Sequence, residues 1–202
     1  MINSRIPLII ATALSLLIAL ISYRFLILGL PLSFPEMLAQ IEERRIAFIL
    51  HVALGPLALG IGAVQFYQGL RKHKALHRWL GRIYAVAILI SGSAGLVIAM
   101  NAAGGLSAQI GFSILSVLWV VVTANAVRHA MARRIGKHRR WMVYSFALTF
   151  AGVTLRLWIL PFAVMGFSYT GASIYLAWLA WLPNLAFAWW WLNRKRPSQA
   201  QN

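Results

Sequence analysis

Residues 69–84 read GLRKHKALHRWLGRIY, a short basic turn lying between two long apolar runs. Two of the five histidines, His73 and His77, fall in it. A second version, IGKHRRWMVY at residues 135–144, occupies the corresponding place between two later apolar runs. Each version sets a His and an Arg just before a Trp that opens a membrane-length apolar segment. Basic turns alternating with apolar stretches of this length are the signature of a chain that crosses a bilayer several times.

The rest of the composition agrees. The chain has 202 residues, 61% hydrophobic and 11% charged, with a net charge of +16. Soluble domains carry about a quarter charged residues. A charge this positive suggests nucleic acid only until its placement is considered. Fourteen of the nineteen Lys and Arg lie in residues 71–82, 128–140 and 194–196, each flanking an apolar run. That distribution sets membrane topology and predicts no nucleic-acid partner. The absence of cysteine excludes disulfides, iron–sulfur ligation, thioether-linked haem and a thiol nucleophile. The absence of Asp excludes a Ser–His–Asp arrangement. No phosphate-binding loop, dinucleotide fingerprint or zinc-ligand spacing occurs, so the residues name no enzyme class.

The expected fold is an all-α polytopic membrane helix bundle, a single transmembrane domain over residues 1–202. Six spans are expected, at 6–30, 46–70, 79–100, 106–127, 141–161 and 172–192. Arg24 interrupts the first late enough to snorkel to headgroups. Ser33 and Glu36 form an S-x-x-E pattern that predicts a helix start, in a loop holding all three acids, Glu36, Glu42 and Glu43. Gly55-Pro56 and Pro183 predict kinks in the second and sixth spans. The small-residue run SGSAG at residues 91–95 predicts close helix approach. Trp189, Trp190 and Trp191 beside Arg194 read as an interfacial belt. Six spans with basic second-to-third and fourth-to-fifth turns put both termini in the cytoplasm. The echo between the two basic turns suggests that helices 2–5 are a parallel repeat of two helix pairs. The expected location is a bacterial inner membrane.

Polar groups inside spans are costly unless paired or functional. Counting about 1.5 Å per residue puts His51 and Arg156 at a similar depth near the outer side, and His77 and His138 together near the inner side. Gln65, Asn125, Arg82 and Tyr84 fall near the inner level. Two histidines at matched depth suit axial ligation of a haem b iron, with Arg78, Arg82, Arg139 and Arg140 available to propionates. The competing reading is interfacial histidines that meet headgroups or cap helix ends. Arg156 with His51 suits a small anionic ligand, a quinone carbonyl or a propionate; its competitor is a structural pair with Glu42 or Glu43. His73 and His129 are expected to be solvated in the turns.

HVALGPLALGIGAVQF at residues 51–66, LHRWLGRIY at 76–84 and HRRWMVYSFALTFAGVTLRLW at 138–158 together resemble a family of predicted bacterial membrane proteins, domain of unknown function 2306. The similarity covers roughly residues 46–160. The resemblance falls on His51, Gln65, Arg71, His77, Arg78, Trp79, Gly81, Arg82, Tyr84, His138, Arg139, Arg140, Trp141 and Arg156. It implies no reaction. It marks the inner and outer polar residues as the family's signature.

Three functions compete, and the first is the favoured specific reading: electron transfer by a bundle holding haem b, with quinone contact. The second is non-redox binding of a small anionic or lipidic ligand at the His51–Arg156 layer. The third is a scaffold or assembly subunit, acting as a homo-oligomer or with a membrane partner through small-residue faces such as residues 91–95.

Overall fold

A computed structural model describes residues 5–66 and 72–194. The expected end of the second span at Leu70, the signature residue Arg71, and the polar tail from Lys195 onward lie outside the described residues.

Apolar content and length build the elements. Five described helical stretches are long and apolar enough to cross a membrane: Arg45–Gln65, Lys74–Ala99, Gly105–Met131, Ile135–Val164 and Tyr169–Asn193. A bent pair, Leu8–Ser22 with Phe25–Ser33, raises the number to six if it is one span. The helices are α1 (Arg5–Ser22), α2 (Phe25–Ser33), α3 (Leu38–Glu43), α4 (Arg45–Gln65), α5 (Lys74–Ala99), α6 (Gly105–Met131), α7 (Ile135–Thr149), α8 (Ala151–Val164), α9 (Tyr169–Leu179) and α10 (Leu182–Asn193). Helices α4 to α7 pack on their neighbours in chain order, and α7 also touches α4. Helix α1 covers α4, while α9 lies on α6 and α10 on α7.

The core is built from small residues and a few large ones. Ala58, Tyr84, Ala87, Ile88, Trp119, Val122, Leu148, Ala151, Ala180 and Trp181 form its main cluster. The run at 91–95 does what small residues permit. A Cβ on Gly92 would stand 2.6 Å from Val120 Cγ2, and one on Gly95 would stand 2.9 Å from His51 Nδ1. This face is thus already occupied by α4 and α6, so it is not the free surface that a scaffold role through these residues requires. Large apolar side chains such as Leu20, Ile27, Leu106 and Val164 point outward, as a lipid-facing surface requires. Trp189 and Trp190 are exposed, and the Arg194 guanidinium lies 3.4 Å from the Trp191 ring centroid.

Four local expectations change. The first run is not one straight helix, because the chain bends by 78° between α1 and α2. Arg24, at the bend, donates from Nη2 to Ser33 O at 2.5 Å and lies over the Phe34 ring. It is held by the protein's own folded-back chain rather than extended to headgroups. Ser33 ends α2 instead of capping a new helix; a 3-10 turn at Pro35–Met37 follows, with no side-chain cap. Phe34, the residue before Pro35, stands at φ −138°, ψ 60°, outside the helical region that a following proline disfavours. Helix α4 runs unbroken through Pro56, and other helices serve carbonyls near it: Tyr23 donates to Ala53 O at 2.8 Å and Ser91 to His51 O at 3.2 Å. In the last span the break comes at Ala180 and Trp181, with Pro183 inside the first turn of α10, where proline is tolerated.

Candidate functional site

Interhelical hydrogen bonds sort the buried polar residues into three layers. At the basic end, α4 finishes beside the start of α5, where Gln65 Nε2 donates to His77 O at 3.0 Å. Gln65 is buried, and its Oε1 has no partner among the described residues. His138, in the first turn of α7, hydrogen-bonds through Nδ1 to Ala126 O of α6 at 2.9 Å. A carbonyl only accepts, so Nδ1 carries the proton and a neutral ring keeps its lone pair on Nε2. Arg82 lies 4.9 Å over the Trp79 ring, and Arg140 donates to Asn193 Oδ1 at 2.8 Å. Arg78 and Arg139 are exposed. His129 corrects the expectation of a solvated histidine: it is 8% exposed, on α6, with its ring facing Trp141. His73 is exposed, as expected.

In the middle layer, Tyr84 of α5 reaches across to α7. Its hydroxyl bonds Ser145 Oγ at 2.9 Å and Thr149 Oγ1 at 2.8 Å. Trp119 Nε1 donates to Thr149 Oγ1 at 2.8 Å, and Thr123 bonds Ser145 Oγ at 2.7 Å. Thr149 also donates to Ser145 O, and Thr123 to Trp119 O. Every hydroxyl in this network is satisfied, which favours rigidity over a ligand role.

The third layer lies towards the other end. His51 Nδ1 donates to Ser91 O at 3.0 Å, which again leaves Nε2 with the lone pair. Arg156 of α8 donates from Nη1 to its own Gly152 O at 2.7 Å. His51, Arg24 and Tyr169 all lie within electrostatic range of Arg156. The alternative pairing with Glu42 or Glu43 is not formed. Both acids are exposed, and Glu43 meets Arg44 at 2.6 Å, the one ion pair among the described residues. Asn101 contributes its backbone, accepting from Gln40 Nε2 at 2.5 Å.

Residues 48–192 match the profile of a family described as predicted membrane protein, DUF2306. The chain belongs to this family. No curated protein and no solved structure matches it. The match extends past the three quoted motifs, to residue 192, and begins after the bent α1–α2 pair. The DUF2306 region therefore corresponds closely to the five spans from Arg45 onward. Among them, α10 supplies a polar hub that the motifs did not reach. Asn184 Nδ2 lies 3.3 Å from Ala147 O and 2.9 Å from Ala180 O, to which its two hydrogens can be donated, and Thr154 Oγ1 donates to its Oδ1 at 3.1 Å.

The structure keeps the sequence-chosen residues in two separated layers and inserts the hydroxyl network between them. A signal for that network was present: Tyr84 and Ser145 each lie seven residues beyond the motif histidines His77 and His138. Seven residues is nearly two helical turns, about 10 Å along one face. Tyr84 and Ser145 therefore lie on the same helix faces as His77 and His138, one layer deeper, while the His138 ring itself turns to Ala126 O of α6. Among the described residues no group of three or more His, Asp or Glu could hold a metal ion. His138 keeps on Nε2 a lone pair that an iron could take, whereas Gln65 Oε1, without a partner among the described residues, is an acceptor for which a haem carries no donor.

Proposed function

We propose that this DUF2306 protein binds a small anion or the anionic head of a lipid at the Arg156 layer, in a non-redox role. The observation that carries the reading is a guanidinium within a membrane span that has no carboxylate partner. Among the described residues its one hydrogen bond goes back to its own helix, and a second guanidinium, Arg24, lies within electrostatic range. Two cations held together in a partly buried layer favour an anion between them. His51 and Tyr169 add polar groups that can orient it. The reading places the chain in a bacterial inner membrane with six spans, the bent α1–α2 pair counted as one, and both termini cytoplasmic. The alternation of basic turns supports that orientation, and the matched His-Arg-Trp motifs support a parallel repeat in the core. Thermal unfolding of the purified chain with inorganic phosphate and with glycerol 3-phosphate tests the site. Both are expected to raise the midpoint, and Arg156→Ala is expected to abolish the rise. A rise that survives in Arg156→Ala refutes the assignment.

A second reading has its own support in the His138–Ala126 bond, which fixes the tautomer that axial ligation needs. In it, His77 and His138 hold haem b iron beside Gln65, and Arg78 and Arg139 are free to meet propionates. When bound, the haem would supply one-electron transfer, with a quinone as an exchange partner. Absorption spectra of oxidised and reduced protein, produced with ample haem, decide it: a bis-histidine spectrum lost in His77→Ala and His138→Ala supports the reading. A colourless protein ends it.

A further inference from the structure

A groove of about 470 Å³ runs between α5 and α6 and touches the middle polar layer only at Thr123. Its lining includes Val86, Leu89, Val120 and the exposed Ala124, with Ile88 and Thr123 buried at its base. Val86 and Leu89 are each 55% exposed, so the groove opens sideways, towards the bilayer. Along α6 it extends from Val120 to Ala132, about 18 Å. That is a little more than half of a hydrocarbon core about 30 Å thick, the depth of one leaflet.

Its polar character is confined to one end. Arg128 is the charged residue in the lining, and Arg133 and Arg134 follow at the end of the same helix. All three acids of the chain precede residue 44, and the ion pair among the described residues is Glu43–Arg44. Arg128 thus has no acidic partner there. Thr123 also lines the groove, but its hydroxyl is committed to Trp119 O and Ser145 Oγ. A neutral headgroup would find little to bind, whereas a phosphate would meet a cation at the depth where headgroups begin.

We propose that this groove holds one acyl chain of an anionic phospholipid from the leaflet at the basic end, with the lipid phosphate on Arg128. The assignment is independent of the Arg156 site. Native mass spectrometry and thermal unfolding of the full chain, purified in neutral detergent, test it with phosphatidylglycerol, phosphatidylcholine and an isoprenoid quinone. Phosphatidylglycerol is expected to bind about fivefold more tightly than phosphatidylcholine, the preference that one basic side chain near the surface supplies. Arg128→Gln should erase that preference while leaving the lipid-free midpoint unchanged. Ala124→Phe, which fills the groove from an exposed position, should weaken both phospholipids. Arg156→Ala should leave the preference intact, separating the two sites. Equal binding of the two phospholipids, a preference that survives Arg128→Gln, or a quinone that displaces phosphatidylglycerol equally with and without Arg128 would each overturn the proposal.

Discussion

Replacing Tyr84 with Phe isolates what the hydroxyl network contributes. Tyr84 is 1% exposed, and the substitution removes a single oxygen without opening a large cavity. The lost interactions are the bonds to Ser145 Oγ and Thr149 Oγ1. Interhelical hydrogen bonds in membrane proteins average about 0.6 kcal/mol and reach about 1.7, so two give a range of roughly 1–3 kcal/mol. Neither partner is orphaned: Ser145 keeps Thr123, and Thr149 keeps Trp119 and the Ser145 carbonyl. That places the expectation in the lower half, about 1–2 kcal/mol. For a chain of this size the shift is roughly 2–8 °C in unfolding midpoint. Unfolding in mixed detergent micelles, followed by circular dichroism, measures it. A double-mutant cycle with Thr149→Val should show coupling between the two sites. If Tyr84→Phe is as stable as the parent chain, or more stable, the network does not tie α5 to α7 and the account of the middle layer fails.

Two further perturbations probe the packing around that layer. Gly62→Ala places a methyl 2.8 Å from Tyr84 Cε2 and 2.9 Å from Phe146 Cδ2, so overpacking should cost about 1–3 kcal/mol in the same unfolding assay. Asn184→Ala removes the hub joining α10 to α7 and α8 and should cost about 1–2 kcal/mol; a neutral result would mean that α10 is held by apolar contact alone.

Several features were legible in the residues because they are properties of short stretches. The spans from Arg45 onward followed from apolar length, but α5 and α7 begin inside the basic stretches, at Lys74 and Ile135, earlier than the Trp79 and Trp141 starts expected. The close approach at residues 91–95 followed from the absence of bulk. The Ser33 cap failed because Pro35, visible in the sequence, disfavours a helical backbone at Phe34, where the S-x-x-E pattern needs the first helical residue. Arg24 and His129 were misread for a different reason. The first donates to a carbonyl nine residues away, and the second is buried against Trp141 of the next helix. Charge and position along the chain do not say which way a side chain turns.

The sequence by itself determined that this is a polytopic membrane bundle with basic turns, and it singled out His51, His77, His138 and Arg156. Hydropathy and charge are summed along the chain, so a linear reading captures them. Only the tertiary structure decided that Tyr84, Ser145, Thr149, Trp119 and Thr123 close into one network, and that Arg156 bonds its own helix instead of a glutamate. Those partnerships depend on the rotation and depth of each helix against its neighbours, which are set by packing between segments distant in sequence.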